Sequence, residues 1–129
     1  MESIFSIAAC VLMALGVCMG AFGAHALENY FSVNPKYHQV YETAVFYHLI
    51  HALALFAIAW CQSHWNSKLI IIAGYFICVG TIIFSTSLYV LSLTQIKILG
   101  AITPIGGIAI VIGWVILAIG ILQSKPKNI

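Results

Sequence analysis

The sequence predicts an all-α integral membrane protein, with four spanning helices packed as an antiparallel bundle and joined by short loops. Three observations carry that reading. Hydrophobic residues make up 63% of the 129 and charged residues only 6%, where a soluble domain carries about a quarter charged residues. The apolar residues gather in four stretches, each near the length of about 20 residues that crosses a hydrocarbon core of about 30 Å. The connections are short, which sets consecutive helices antiparallel. Five lysines and three acids are too few to cover the surface of a soluble fold of this length, so an ordinary cytoplasmic enzyme is excluded. A net charge of +2 without a basic cluster also excludes a nucleic-acid surface, because phosphate binding needs grouped Lys or Arg.

The first span, residues 4–24, is uncharged. Ala24-His25-Ala26 resembles a signal cleavage site, and Leu15-Gly16-Val17-Cys18 faintly resembles a lipoprotein box. However, Met1-Glu2-Ser3 places an acid where a signal peptide needs a cation, and the apolar run is longer than an h-region, so a retained span is expected. The second span, 40–60, carries Glu42, His48 and His51, and the third covers 68–90. The fourth covers 98–122, with Thr103-Pro104 read as a cap and a helix-start proline against the competing reading of a kink. Only the first connection, 26–39, has room for structure of its own.

With four spans, both termini and the 61–67 loop share one face, the near face. Lys68, Lys125 and Lys127 lie there, against Lys36 and Lys97 on the far face, a bias that points to cytoplasmic termini. Trp60 and Trp65 on one side, and Tyr37 and Tyr41 on the other, read as interfacial aromatic belts, with His64 solvated in the second loop. Cys10, Cys18, Cys61 and Cys78 have no CxxC spacing and read as small packing residues.

The glycines lie in or beside the spans. Gly16 and Gly20 form a GxxxG pair continued by Ala24, and Gly106, Gly113 and Gly120 recur every seven residues. Small residues at such spacings let helix backbones approach closely in lipid. Packing within the chain is the favoured reading, and a homo-oligomer seam the other.

The polar residues fall mainly in the far half of the membrane. His25 ends the first span, and His38 and Glu42 stand one turn apart if the second helix begins early. By the helical rise of about 1.5 Å per residue, His48 and His51 lie about 9 and 13 Å deeper than Glu42. Thr81, Ser85 and Tyr89 form a stripe on the third span, Thr86 and Ser87 point off it, and Thr103 opens the fourth. Ionisable groups at such depth are functional candidates. Glu42 could equally be a wet helix-start carboxylate. His48 and His51, on one turn, could be histidines satisfied by Tyr89, Ser85 or carbonyls. The candidate polar cleft therefore comprises His25, Glu42, His48, His51, Ser85, Ser87, Tyr89 and Thr103. A metal would draw on His25, His48 and His51, and haem would need ligands from two helices at one depth. No cofactor is identified by a motif.

Four segments in order, Gly20-Ala21-Phe22-Gly23-Ala24-His25, Tyr47-His48-Leu49-Ile50-His51-Ala52-Leu53-Ala54, Phe84-Ser85-Thr86-Ser87-Leu88-Tyr89, and Thr103-Pro104-Ile105-Gly106-Gly107 with Gly113-Trp114, resemble domain-of-unknown-function family 423. That family comprises small bacterial inner-membrane proteins and includes the human transmembrane protein 256. The resemblance spans nearly the whole chain and implies a multi-pass protein of the cell membrane, the bacterial inner membrane. His25, His51, Ser85, Ser87, Tyr89 and Pro104 match the pattern. Thr86 departs from a Gly, and His48 from a Gln, which weakens an obligatory metal role for His48. The family implies no activity.

Two functions follow from the residues. One is a binding or transport protein whose His- and Glu-containing cleft, in the half opposite the termini, takes a cation or small molecule. The other is an accessory or assembly subunit of a larger membrane complex. An enzyme is disfavoured, since no nucleophile, base and acid stand at a defensible spacing. The partners expected are the lipid bilayer and a homo-oligomer or larger complex, with no nucleic acid.

Overall fold

A computed structural model describes residues 4–127. Met1-Glu2-Ser3, on which the signal-peptide argument turned, lie outside the described residues. The chain forms α1 (Ile4–His25), α2 (Glu28–Val33), α3 (Pro35–His64), α4 (Lys68–Thr94) and α5 (Leu99–Gln123). All but α2 are long and apolar enough to cross a membrane. Lipid offers backbone groups no partners, so each apolar stretch closes its own hydrogen bonds as a helix. The short α2 occupies the one connection with room for it.

Several helix limits differ from the sequence reading. α3 starts at Pro35, where the missing N–H and fixed φ suit a first helical position. It runs on through His64, whose Nδ1 lies 2.9 Å from the Trp60 carbonyl, so His64 is helical and not in the loop. Ser67 caps α4 by accepting from the Leu69 N–H at 3.3 Å. α4 continues past Ser92 and ends on Gln95, whose φ of 59° is the left-handed cap. α5 begins at Leu99, so Pro104 lies inside the helix and is neither its first residue nor preceded by a cap. Instead the Thr103 hydroxyl donates back to the Leu99 carbonyl at 3.2 Å. Residues 98–102 are apolar and must pair their own backbone in lipid, at the loss only of the bond that Pro104 cannot donate.

Packing follows chain order. α1 lies on α3, α3 on α4, and α4 has its largest interface with α5. The near half is held by Phe5, Leu55, Ile58, Ile70, Ile77 and Leu117, and the far half by Phe31, Tyr41, Ala44, Leu88 and Tyr89. The glycine seam is used inside the chain. The Cβ missing at Gly106 would stand 2.5 Å from the Phe84 nitrogen and 2.8 Å from the Gly80 carbonyl, while Gly113 meets Ile77 and Gly120 meets Ile70. On α1, Gly16 receives Leu49 and Gly23 receives the Tyr41 ring. Tyr41 is accordingly 2% exposed and donates its hydroxyl to the Met19 carbonyl at 2.6 Å. It is an interior residue and not part of an aromatic belt, because the gap left by Gly23 admits its ring. Trp60 and Trp65 pair edge-on at the near face with ring centroids 5.4 Å apart.

Each face of the bundle is laced. At the far face the Tyr30 hydroxyl donates to the Ser92 carbonyl at 2.8 Å, and Gln95 Nε2 donates to Tyr30 Oη at 3.1 Å. At the near face Lys127 N donates to the His64 carbonyl at 2.7 Å and its Nζ to the Gln62 carbonyl at 2.8 Å. Near that face α1 also reaches α4, with the Phe5 ring seated on Gly74. Farther along the bundle a cavity opens between α1 and α4, which positions the site.

Candidate functional site

A cavity of about 360 Å³ lies between α1 and α4, over α3. Val11, Leu12 and Leu15 of α1 form one wall, Thr81, Ser85 and Tyr89 of α4 form the other, and His48 of α3 lies between them. His48 is 13 residues from the start of α3 and 16 from its end, which places it about 20 Å and 24 Å from the two ends and near mid-depth. The rim is open sideways. Val11 and Leu15 are each 53% exposed and Ile82 47%, so these side chains face lipid.

The polar side of the cavity is ordered by hydrogen bonds from within. Thr81 donates its hydroxyl to the Ile77 carbonyl at 2.7 Å, and Ser85 donates to the Ala44 carbonyl at 3.0 Å, tying α4 to α3. His48 Nδ1 lies 3.1 Å from Tyr89 Oη. The Tyr89 hydroxyl has no other acceptor among the described residues, so it donates to Nδ1 and leaves the His48 proton on Nε2. His48 is 7% exposed, and its Nε2 faces the Leu12 carbonyl without reaching hydrogen-bond geometry, unpartnered among the described residues. A buried donor without a partner costs about 1–3 kcal/mol.

The residues singled out in the sequence separate into three places. His48, Ser85 and Tyr89 meet at this cavity. His51, though also buried, turns toward α5: its Nδ1 donates to the Tyr47 carbonyl at 2.8 Å and its Nε2 accepts from Trp114 Nε1 at 3.4 Å. Both nitrogens are therefore in use, which is the satisfied-histidine reading. Ser87 and Thr103 face each other across the α4–α5 seam with hydroxyls 2.8 Å apart. Glu42 lies at the far face in a groove of about 340 Å³ between α1 and α3, with His38 Nε2 3.5 Å from its carboxylate. That pair is exposed, and so is His25.

Among the described residues no three His, Cys, Asp or Glu side chains stand close enough to hold a metal ion. The set His25, His48 and His51 does not converge, because His25 is at the helix end and the other two leave α3 toward different neighbours. Sequence reasoning passed over the α1 wall, since Val11, Leu12 and Leu15 carry no signal among so many apolar residues. It also passed over Thr81 as a site residue, although the Thr81-Ser85-Tyr89 stripe was legible. Trp114 was noted in a motif but not as a partner for His51.

Four helices long and apolar enough to span a membrane, three of which line a laterally open cavity with a few polar groups, define a small polytopic membrane protein. The chain belongs to the family described as Protein of unknown function (DUF423), whose profile matches residues 19–107. It is 42% identical over 121 residues to the UPF0382 membrane protein YwdK of Bacillus subtilis, covering 93% of this chain and 97% of that protein. It is 47% identical over 109 residues to a UPF0382 membrane protein of Staphylococcus saprophyticus, covering 84% and 87% of the two chains. The same identity, over 112 residues and 87% and 88% of the chains, holds for one from Staphylococcus haemolyticus. No solved structure matches the chain significantly.

Proposed function

We propose that this protein binds a small molecule inside the membrane, in the cavity between α1 and α4. The observation that carries the reading is His48, buried at mid-depth beside a cavity, held by Tyr89 on one nitrogen and unpartnered on the other. Polar groups at such depth are costly and are kept where they do something. A small molecule is favoured over a cation, since the cavity gathers one imidazole and hydroxyls and no carboxylate. His51, Ser87 and Thr103 hold helices together in this reading, and His25 and Glu42 belong to the far interface. The termini are cytoplasmic, supported by the lysine bias, and a cysteine placed after Ser124 should resist a membrane-impermeant thiol reagent in intact cells.

Native mass spectrometry of the full chain, extracted gently from its own membranes, tests the binding reading. A stoichiometric small-molecule mass that disappears in His48→Leu, while His51→Phe retains it, is the expected result. A chain that carries no small molecule, or one held instead by a second protein, overturns the reading and favours an accessory subunit.

A further inference from the structure

The hydrogen-bonding polarity of the cavity says more about its occupant. Three hydroxyls on its α4 wall have committed their protons to protein acceptors: Thr81 to the Ile77 carbonyl, Ser85 to the Ala44 carbonyl and Tyr89 to His48 Nδ1. What they turn to the cavity is therefore oxygen lone pairs. The remaining hydroxyl, Thr86, stands at the exposed rim. Among the described residues at this site, His48 Nε2–H is the buried donor that lacks a hydrogen bond of good geometry, with the Leu12 carbonyl its nearest protein acceptor. A group that suits both must donate to the oxygens and accept from the imidazole, and a hydroxyl does both.

Charge and size narrow the class further. No Lys, Asp or Glu lines the cavity, so neither an anionic nor a cationic head would find a counter-charge there. Near the membrane midplane an uncompensated charge is expensive, whereas a neutral hydroxyl is not. A volume of about 360 Å³ holds about a dozen non-hydrogen atoms at roughly 30 Å³ each, the share of one water in the liquid. That accommodates a small head group, and with no counter-charge in the lining a phosphate-bearing head is disfavoured. The exposed rim at Val11, Leu15 and Ile82 leaves the rest of such a ligand in the bilayer.

Building on the binding reading above, we propose that the ligand is a neutral lipid alcohol, which reaches the cavity sideways from the bilayer through the gap between α1 and α4. Its hydroxyl donates to the Thr81–Ser85 side and accepts from His48.

The test uses the full chain in lipid nanodiscs and a single-chain alcohol carrying a diazirine near its hydroxyl, with cross-linked residues mapped by mass spectrometry. Unlabelled alcohol, its methyl ether and its ketone, of one chain length, serve as competitors. Labelling is expected at Val11, Leu15 and Ile82. The alcohol should compete about fivefold better than the ether or ketone, the worth of one net hydrogen bond of about 1 kcal/mol. Thr81→Val should bring the three competitors toward parity. Ile82→Trp, a change at the exposed rim that leaves the polar wall intact, should abolish labelling at Val11 and Leu15. Equal competition by ether, ketone and alcohol with labelling still confined to the cavity overturns the alcohol and leaves the binding reading standing. Labelling spread evenly over the lipid-facing helices, unchanged in Ile82→Trp, overturns both.

Discussion

His48 and His51 are three residues apart, and that spacing turns side chains by about 60° around a helix axis. The turn is enough to send one imidazole to α1 and α4 and the other to α5. Their residue types were legible in the sequence as intramembrane polar groups; their directions were not, because α3 is apolar on most sides and carries no polar face to orient it. The difference has a measurable consequence. His51→Phe keeps an aromatic ring but leaves the Trp114 N–H and the Tyr47 carbonyl without their partner. It is expected to cost about 1–2 kcal/mol, seen as a lower thermal midpoint in detergent, with ligand retention unchanged. Tyr41 gives the complementary lesson. Near the far interface it resembled a belt residue, and what decides its burial is the missing Cβ of Gly23 on another helix. Gly23→Ala should destabilise by about 1–3 kcal/mol through overpacking, and Tyr41→Leu in the same chain should recover much of that loss in a thermal scan.

At the scale of elements, hydropathy placed four helices and the short connections set neighbours antiparallel, since both signals are read along the chain without knowing which way a side chain points. Helix ends were less legible. Pro104 looked like a start because proline suits a first turn, but the lipid around 98–102 imposes a helical backbone ahead of it. The heptad of Gly106, Gly113 and Gly120 did predict a seam, though not which helix fills it; α4 does, with Gly80 facing Gly106. Gly106→Val would push a branched side chain into the α4 backbone near Phe84, where nothing flexible can yield. The expected outcome is loss of more than 3 kcal/mol or failure to accumulate, measured as folded yield from membranes. By contrast Ser87 and Thr103, which meet across the same seam, should show a coupling of only about 0.6 kcal/mol in a double-mutant cycle of Ser87→Ala and Thr103→Val. Each hydroxyl keeps a carbonyl partner on its own helix.

For the molecule as a whole, the expected concentration of polar residues in the far half matches the packing in part. The near half is a tight apolar core around Phe5, Ile58 and Ile70. The polar residues of the far half do not form one cleft, because most satisfy themselves locally and only those between α1 and α4 line a cavity. That cavity lies between two helices that are not sequence neighbours, a tertiary property with no local signature. The junction at the near end has a role in it. Phe5→Ala would remove the ring seated on Gly74, at a cost of about 3–5 kcal/mol, and should raise hydrogen exchange along α1 more than along α5.

The unequal helix interfaces also set how the chain comes apart under load. Drawn from its N-terminus out of the bilayer by a force probe, α1 has α3 as its main attachment and should leave first, at low force. α4 and α5, locked backbone to backbone at Gly80 and Gly106, should resist longest and leave as one hairpin in a single tall step. During synthesis the order is reversed in importance: α1 enters the membrane first but acquires its lasting position only once α3 is in place, and the cavity exists only after α4 arrives.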